Sequence, residues 1–405
     1  MFWLVVCVFI LSSFLGVFFM EQGAYSITLK GNGYANNVTN AYIIHVIFFF
    51  AGVYLCSKIK FLKLEHRSPN TIAIKRIVYS RFFLIILFSL IIVWFGFGGI
   101  KVMLGGIDKA QFRTSLGPFG ALMYLLVKSI VPTLLAYYAC LVKNNNNGYY
   151  RLYLICIISS FLALGLGFKA LSITIVLPAF FILKNKLNLL SMMKYIFISV
   201  GVLFSTAYIF KDENTDILGV LEFVFERATI IQGDVAWYVW NSTEKAIKNF
   251  ELFKTLYPAI GESNFALLTG VTQSNYDVWV DYHFAQSLTR FVGYDNNALQ
   301  YGFTVTGNVF STAVFALGKQ FFWIYSFFVG SVSAIVYKIF IELLNKKYYK
   351  LASVIASFMA FSVIGWINSG EIIKLFHIST IFYLIFSYLL LCFLEKRLTW
   401  NNELK

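Results

Sequence analysis

Proline, cysteine and charge are all scarce in this chain. Its 405 residues include 5 Pro and 5 Cys, and only 13% are Asp, Glu, Lys or Arg. A soluble domain carries about 25% charged residues, so a globular cytosolic enzyme is excluded. Few cysteines exclude a small secreted scaffold held by disulfides. The absence of roughly 10-residue alternating strands excludes an outer-membrane barrel. What fills the chain is apolar: 59% of residues are hydrophobic, with 44 Phe and 25 Tyr. They arrive in blocks of about 17 residues or more, enough for a helix to cross a hydrocarbon layer about 30 Å thick. The sequence therefore reads as an all-α polytopic membrane protein. An aromatic on a spanning helix ordinarily faces lipid or core, so the aromatic abundance assigns no binding site.

Apolar runs predict ten spans, at about 2–20, 41–57, 82–100, 121–142, 152–168, 170–183, 195–210, 320–341, 351–368 and 375–394. The first has no basic n-region and no small-residue cleavage site, so it reads as a span and not a removed signal peptide. Three parts follow: 1–210 with seven spans, a polar segment 211–319, and 320–405 with three spans and a tail. Within the polar segment, 222–240 is half-apolar but holds Glu222, Glu226, Arg227 and Asp234, and reads as a helix on the membrane surface. Lys58, Lys60, Lys63, Arg67, Lys75, Arg76 and Arg81 mark the loop after span two as cytoplasmic. Counting alternately from there puts 18 of the 33 Lys and Arg in cytoplasmic loops and tail, and both termini in the cytoplasm. The net charge of +14 is thus mainly a topology signal, with no nucleic-acid partner implied. Cys7, Cys56, Cys140, Cys156 and Cys392 all fall in the cytoplasmic halves of their spans.

The segment 211–319 is then outside. It holds 12 of the 19 acids and runs of Trp, Tyr and Phe, which suggests a helical cap on the membrane. Cations on this side run against the topology trend. Lys101, Asp108, Lys109 and Arg113 crowd the loop after span three, and Lys128 lies about two turns inside the next span. Lys169 occupies an apolar turn, and Arg227 and Arg290 lie in the outer segment. A cation inside the membrane edge costs a few kcal/mol and is a functional candidate by default, against the alternative that Lys128 and Lys169 snorkel to headgroups. Converging outward cations suit a phosphate-bearing ligand with its tail in the bilayer. The alternative for each arginine is pairing with a nearby acid. His283, beside Asp281 in WVDYHFAQSLTR, is a candidate general base or a packing residue. The sequence shows no HExxH, no Asp-rich DxD in the outer segment and no His/Cys cluster, so no metal or cofactor is expected.

Two stretches carry a resemblance. The turn Gly165-x-Gly167-Phe168-Lys169-Ala170 leads into a span, and YGFTVTGNVFSTAVFALG, from Tyr301 to Gly318, closes the outer segment before a span with Gly330. Together with the layout of spans and outer loop, they resemble the Wzy-type O-antigen polymerases of bacterial polysaccharide assembly. The chain departs from that pattern at Lys169, where Arg is common, and at Phe310-Ser311, where an acid often sits. The resemblance implies a GT-C-like architecture of about ten transmembrane helices with a large periplasmic loop, in the bacterial inner (cytoplasmic) membrane. It implies metal-independent, inverting glycosyl transfer on the periplasmic face. Donor and acceptor would be undecaprenyl-pyrophosphate-linked oligosaccharides, and a chain-length regulator is a further implied partner. Pyrophosphate binding then falls to Arg113, Lys169, Arg227 and Arg290, and the base is one of Glu226, Asp281 and His283. The related O-antigen ligase and a lipid-linked oligosaccharide flippase are the competing readings.

Overall fold

The computed structural model describes residues 1–59, 65, 72–103, 112, 115–166, 169–184, 201, 216–242, 252–295, 299, 304–305 and 307–403. These are almost entirely helical. α1 (Phe2–Glu21) and α2 (Val38–Ser57) are joined by a turn holding an antiparallel two-residue ladder, β1 (Tyr25–Ser26) against β2 (Gly31–Asn32). Next come α3 (Ile72–Ile91), α4 (Gly99–Met103), α5 (Gly117–Leu125), α6 (Val131–Asn145), α7 (Tyr149–Gly165), α8 (Lys169–Thr174) and α9 (Leu177–Leu183). The more polar middle holds α10 (Ile217–Ala228), α11 (Ile230–Asn241), α12 (Glu262–Thr269), α13 (Tyr276–Asp281) and α14 (Phe284–Phe291). The last part is α15 (Val309–Asn345), α16 (Tyr349–Phe358), α17 (Ile364–Ser369), α18 (Ile373–Phe376) and α19 (Ile378–Glu403).

Among the described residues, five helices are long and apolar enough to cross a membrane: Phe2–Glu21, Val38–Ser57, Leu122–Asn145, Val309–Asn345 and Tyr349–Ser369. Shorter apolar helices occupy Arg81–Gly96, Tyr149–Gly165, Leu171–Leu183 and Ile378–Leu394. The expected span at 195–210 lies almost wholly outside the described residues. Large apolar side chains such as Leu84, Phe88, Phe95, Phe382 and Phe393 are exposed, as on a surface that meets lipid. The interval 222–240 breaks at Thr229 into parts of two 12-residue helices, α10 and α11. Each is about 18 Å long, too short to cross a bilayer.

Side-chain and backbone contacts sort the helix ends into two groups. At one end the Met1 amine donates to the Lys184 carbonyl (3.0 Å), Lys338 Nζ to the Ser57 carbonyl (2.5 Å), and the Tyr349 hydroxyl to Asn144 Oδ1 (2.9 Å). At the other, Glu21 Oε1 accepts the backbone N–H groups of Asn36 and Val38 and Oε2 that of Thr39, each at 3.0 Å, so a carboxylate caps the start of α2. The middle segment joins this second end, hereafter the cap end: Asn308 Nδ2 donates to the Gln232 carbonyl (3.1 Å), and Trp237 and Trp240 donate to the Tyr34 and Asn36 carbonyls.

α6 runs through the centre. Every residue from Val131 to Val142 is buried, as expected of a helix packed on all sides. Close backbone approaches rely on glycine. Gly16 of α1 meets Gly233 of α11 backbone to backbone, and in the α2–α15 pair Gly330 lies against the Phe49 carbonyl and Gly52 against the Phe327 carbonyl. α2 and α15 run in the same direction, His45 facing Ser326 near the cap end and Ser57 facing Lys338 at the other. α15 is itself broken at Gly318 (φ 72°, ψ 178°), close to position 320 where the eighth span was expected to begin.

Candidate functional site

A cavity of about 340 Å³ opens between the helices at the cap end. Two of its walls are π-turns. Leu126–Ile130 contributes Lys128 and Ser129, and Met359–Val363 contributes Phe361 and Ser362. π-turns inside α-helices recur at functional sites. The first has a local cause. In a regular α-helix the N–H of residue 132 would bond to the Lys128 carbonyl, but Pro132 has no N–H, so the ladder is interrupted there.

The cap-end rim carries the charge. Lys374 Nζ lies 3.2 Å from Glu371 Oε1 and donates to Ser369 Oγ at 2.7 Å. Gly370, left-handed at φ 74°, ends α17 and turns the chain so that Glu371, Lys374 and His377 follow around the rim. Lys128 Nζ lies 5.0 Å from the centre of the Tyr124 ring. His377 precedes α19, and its Nδ1 accepts the Ser379 backbone N–H (3.2 Å), with Ser379 Oγ 2.7 Å away. That leaves the proton of the neutral ring on Nε2, as a donor. Deeper, the lining turns to hydroxyls tied across helices. Ser129 Oγ pairs with Ser387 Oγ (2.6 Å) and Thr133 donates to Ser357 (3.0 Å).

The middle segment lies over the mouth. The 3-10 turn Leu252–Ile260 packs on α18, and a Cβ added at Gly261 would stand 3.5 Å from Ile378 Cγ2. Next in the chain, Glu262 Oε1 meets His283 Nε2 at 2.8 Å. His283 Nδ1 lies 2.9 Å from the Trp279 carbonyl, and the ring stacks on that indole with centroids 3.6 Å apart. Both ring nitrogens of His283 thus face an oxygen acceptor, which fixes the orientation of the ring. Asp281, its neighbour in sequence, pairs with Arg290 instead: Nη1 is 3.3 Å from Asp281 Oδ1, and Nη2 donates to the Asp277 carbonyl at 2.9 Å.

Of the residues singled out from sequence, Asp281 and Arg290 are thus in direct contact, and His283 lies in the same helical pair, α13 and α14. Glu226 and Arg227 lie on α10, with Arg227 exposed and its guanidinium 5.2 Å from the Phe223 ring centre. Lys169 is the first residue of α8, and Arg113 lies outside the described residues. Lys374, Glu371, His377 and Glu262 were not singled out. Their signal was present: EIIKLFH puts Glu371, Lys374 and His377 three residues apart in the short turn before the last apolar run. Among the described residues, no group of three His, Cys, Asp or Glu side chains could hold a metal ion. Compared with family models, curated proteins and solved structures, the chain matches none.

Proposed function

We propose that this protein is an integral-membrane glycosyltransferase that polymerises undecaprenyl-pyrophosphate-linked repeat units into O-antigen at the periplasmic face of the bacterial inner membrane. On this reading the cap end is periplasmic, both termini are cytoplasmic, and ten spans form a GT-C-like bundle. The observation that carries it is the cavity among apolar helices, with Lys128, Lys374 and His377 at its rim and a His- and carboxylate-bearing cap above it. Transfer from a lipid diphosphate needs donors at the departing diphosphate, where fixed electrostatic stabilisation is often the largest contribution. It also needs a carboxylate or imidazole to take the acceptor proton, worth typically about 10²–10⁴-fold. Glu226, Asp281 and His283 are the groups of the cap proposed for that task, with Glu262 held 2.8 Å from His283 Nε2.

A strain lacking the gene tests the reading through its surface glycan. Single repeat units on the lipid core are the expected result. Polymer accumulating on the lipid carrier with none at the surface would identify a ligase, and loss of every outward-facing repeat unit would identify a flippase; either overturns the polymerase assignment.

A further inference from the structure

We propose that the cavity between α6, α16 and α19 is a binding site for a phosphate or diphosphate group, held by Lys128, Lys374 and the Nε2–H of His377. The identity of the ligand's lipid tail rests on the function proposed above; the anion site itself rests on the cavity's own chemistry. Of the four charged or imidazole groups that line it, three are donors. Two are ammonium groups, and the third is an imidazole whose Nδ1 is taken up by the Ser379 backbone N–H, so that its remaining nitrogen donates. Below them, the hydroxyls of Ser129, Thr133 and Ser357 are already engaged across helices, which gives the cavity a fixed polar floor.

Glu371 is the exception among these donors and it defines the site further. Its carboxylate stands 3.2 Å from Lys374 Nζ, where an incoming phosphate oxygen would compete for the same ammonium. Glu371 therefore acts as an internal counter-ion that is displaced when the anion arrives. A salt bridge present only to steady the fold makes no such prediction. Removing the carboxylate should improve anion binding, whereas removing either lysine should weaken it. A volume of about 340 Å³ is small for a ligand pocket and fits a compact headgroup. The aromatic and aliphatic side chains of Phe358, Phe361 and Leu384 border it, so an attached apolar chain would meet apolar surface.

The test uses the full chain purified into lipid nanodiscs, with binding measured calorimetrically for a polyprenyl diphosphate, the polyprenyl alcohol of the same length, and inorganic diphosphate. The diphosphate lipid should bind and the alcohol should not. If inorganic diphosphate matches the lipid, the anion alone is the ligand; if it binds more weakly, the lipid-linked form is, and both results support the site. Lys128→Met and Lys374→Met should each weaken binding about 10- to 100-fold, the usual cost of losing one charged hydrogen bond. Glu371→Gln should tighten it severalfold, a gain that misfolding cannot produce. Failure of both diphosphates to bind, or binding indifferent to both lysine variants, overturns the proposal. The two readings also fail separately. Binding that depends on Lys128 in a protein whose deletion leaves glycan length unchanged removes the polymerase and keeps the site. Glycan loss in the deletion strain, with diphosphate binding indifferent to both Lys128→Met and Lys374→Met, removes the site and keeps the polymerase.

Discussion

Asp234 is wholly buried on α11 and accepts a hydrogen bond from Ser26 at 2.7 Å, which ties the β1–β2 turn to the cap end. Burial pushes its carboxyl up to about 6, the charge of Glu226 adds to the rise, and the hydrogen bonds from Ser26, Val235 and Thr28 oppose it. A carboxyl raised in the folded protein favours folding most when protonated, so its contribution is largest below about 4 and is lost as pH rises through about 6. Thermal unfolding of the protein in detergent should therefore show a stabilising component on going from pH 7 to pH 5, and Asp234→Asn should remove that component. Arg290 behaves differently because it is one-third exposed and paired with Asp281 and Asp277. Such a pair contributes about 0–1 kcal/mol. Arg290→Ala should thus leave protein abundance near normal while shortening the glycan ladder, and an unchanged ladder would remove Arg290 from the substrate path. The sequence placed His283 beside Asp281 because they are two positions apart. The chain turns between α13 and α14, so the two side chains take different partners, and Glu262, 21 residues away, becomes the partner of His283. Adjacency in sequence cannot show that.

Helices were the most readable feature, since apolar run length alone sets where a backbone can satisfy its hydrogen bonds inside lipid. The starts and stops of α1, of α2 and of the continuous helical stretch Tyr349–Ser369 lie within a few residues of the apolar runs. The irregularities inside helices were less readable, because a π-turn leaves hydropathy unchanged. Pro132 was the available mark for one of them. Replacing it with Ala restores an N–H for the Lys128 carbonyl, so the turn should relax and rotate Lys128 relative to the cavity. Pro132→Ala is expected to fold at least as stably as the parent while reducing cavity function, measured as glycan length against melting temperature. The glycine crossings carry the opposite expectation. At Gly233, where α11 touches α1, even a methyl group would overlap the backbone at Gly16 and Val17. Gly233→Val should destabilise by at least about 1–3 kcal/mol, the ordinary cost of overpacking, and should lower the yield of folded protein.

For the molecule as a whole, charge asymmetry and the contacts at the helix ends agree in grouping the loops. Met1, Lys143 and Lys184 gather at one end, and Glu21, Asn308 and Glu371 belong to the other. Which end faces the cytoplasm is open to direct measurement. In a cysteine-free background, a single thiol at Gln273 should react with a membrane-impermeant reagent added outside intact cells, and one at Lys347 should react only after permeabilisation. The reverse pattern would invert the proposed orientation. The cavity itself was not legible from the sequence, because its walls come from residues about 250 positions apart, as Ser129 and Ser387 show.

The same-direction pairing of α2 with α15 has a consequence for biogenesis. Two parallel neighbours cannot be linked by a tight turn, and here more than 250 residues separate the end of α2 from the start of α15. While the chain is still emerging from the ribosome, the buried ring of His45 has no Ser326 to meet and the groove beside Gly52 has no occupant. The amino-terminal hairpin must therefore wait in the bilayer as an incomplete surface until the last quarter of the polypeptide is inserted.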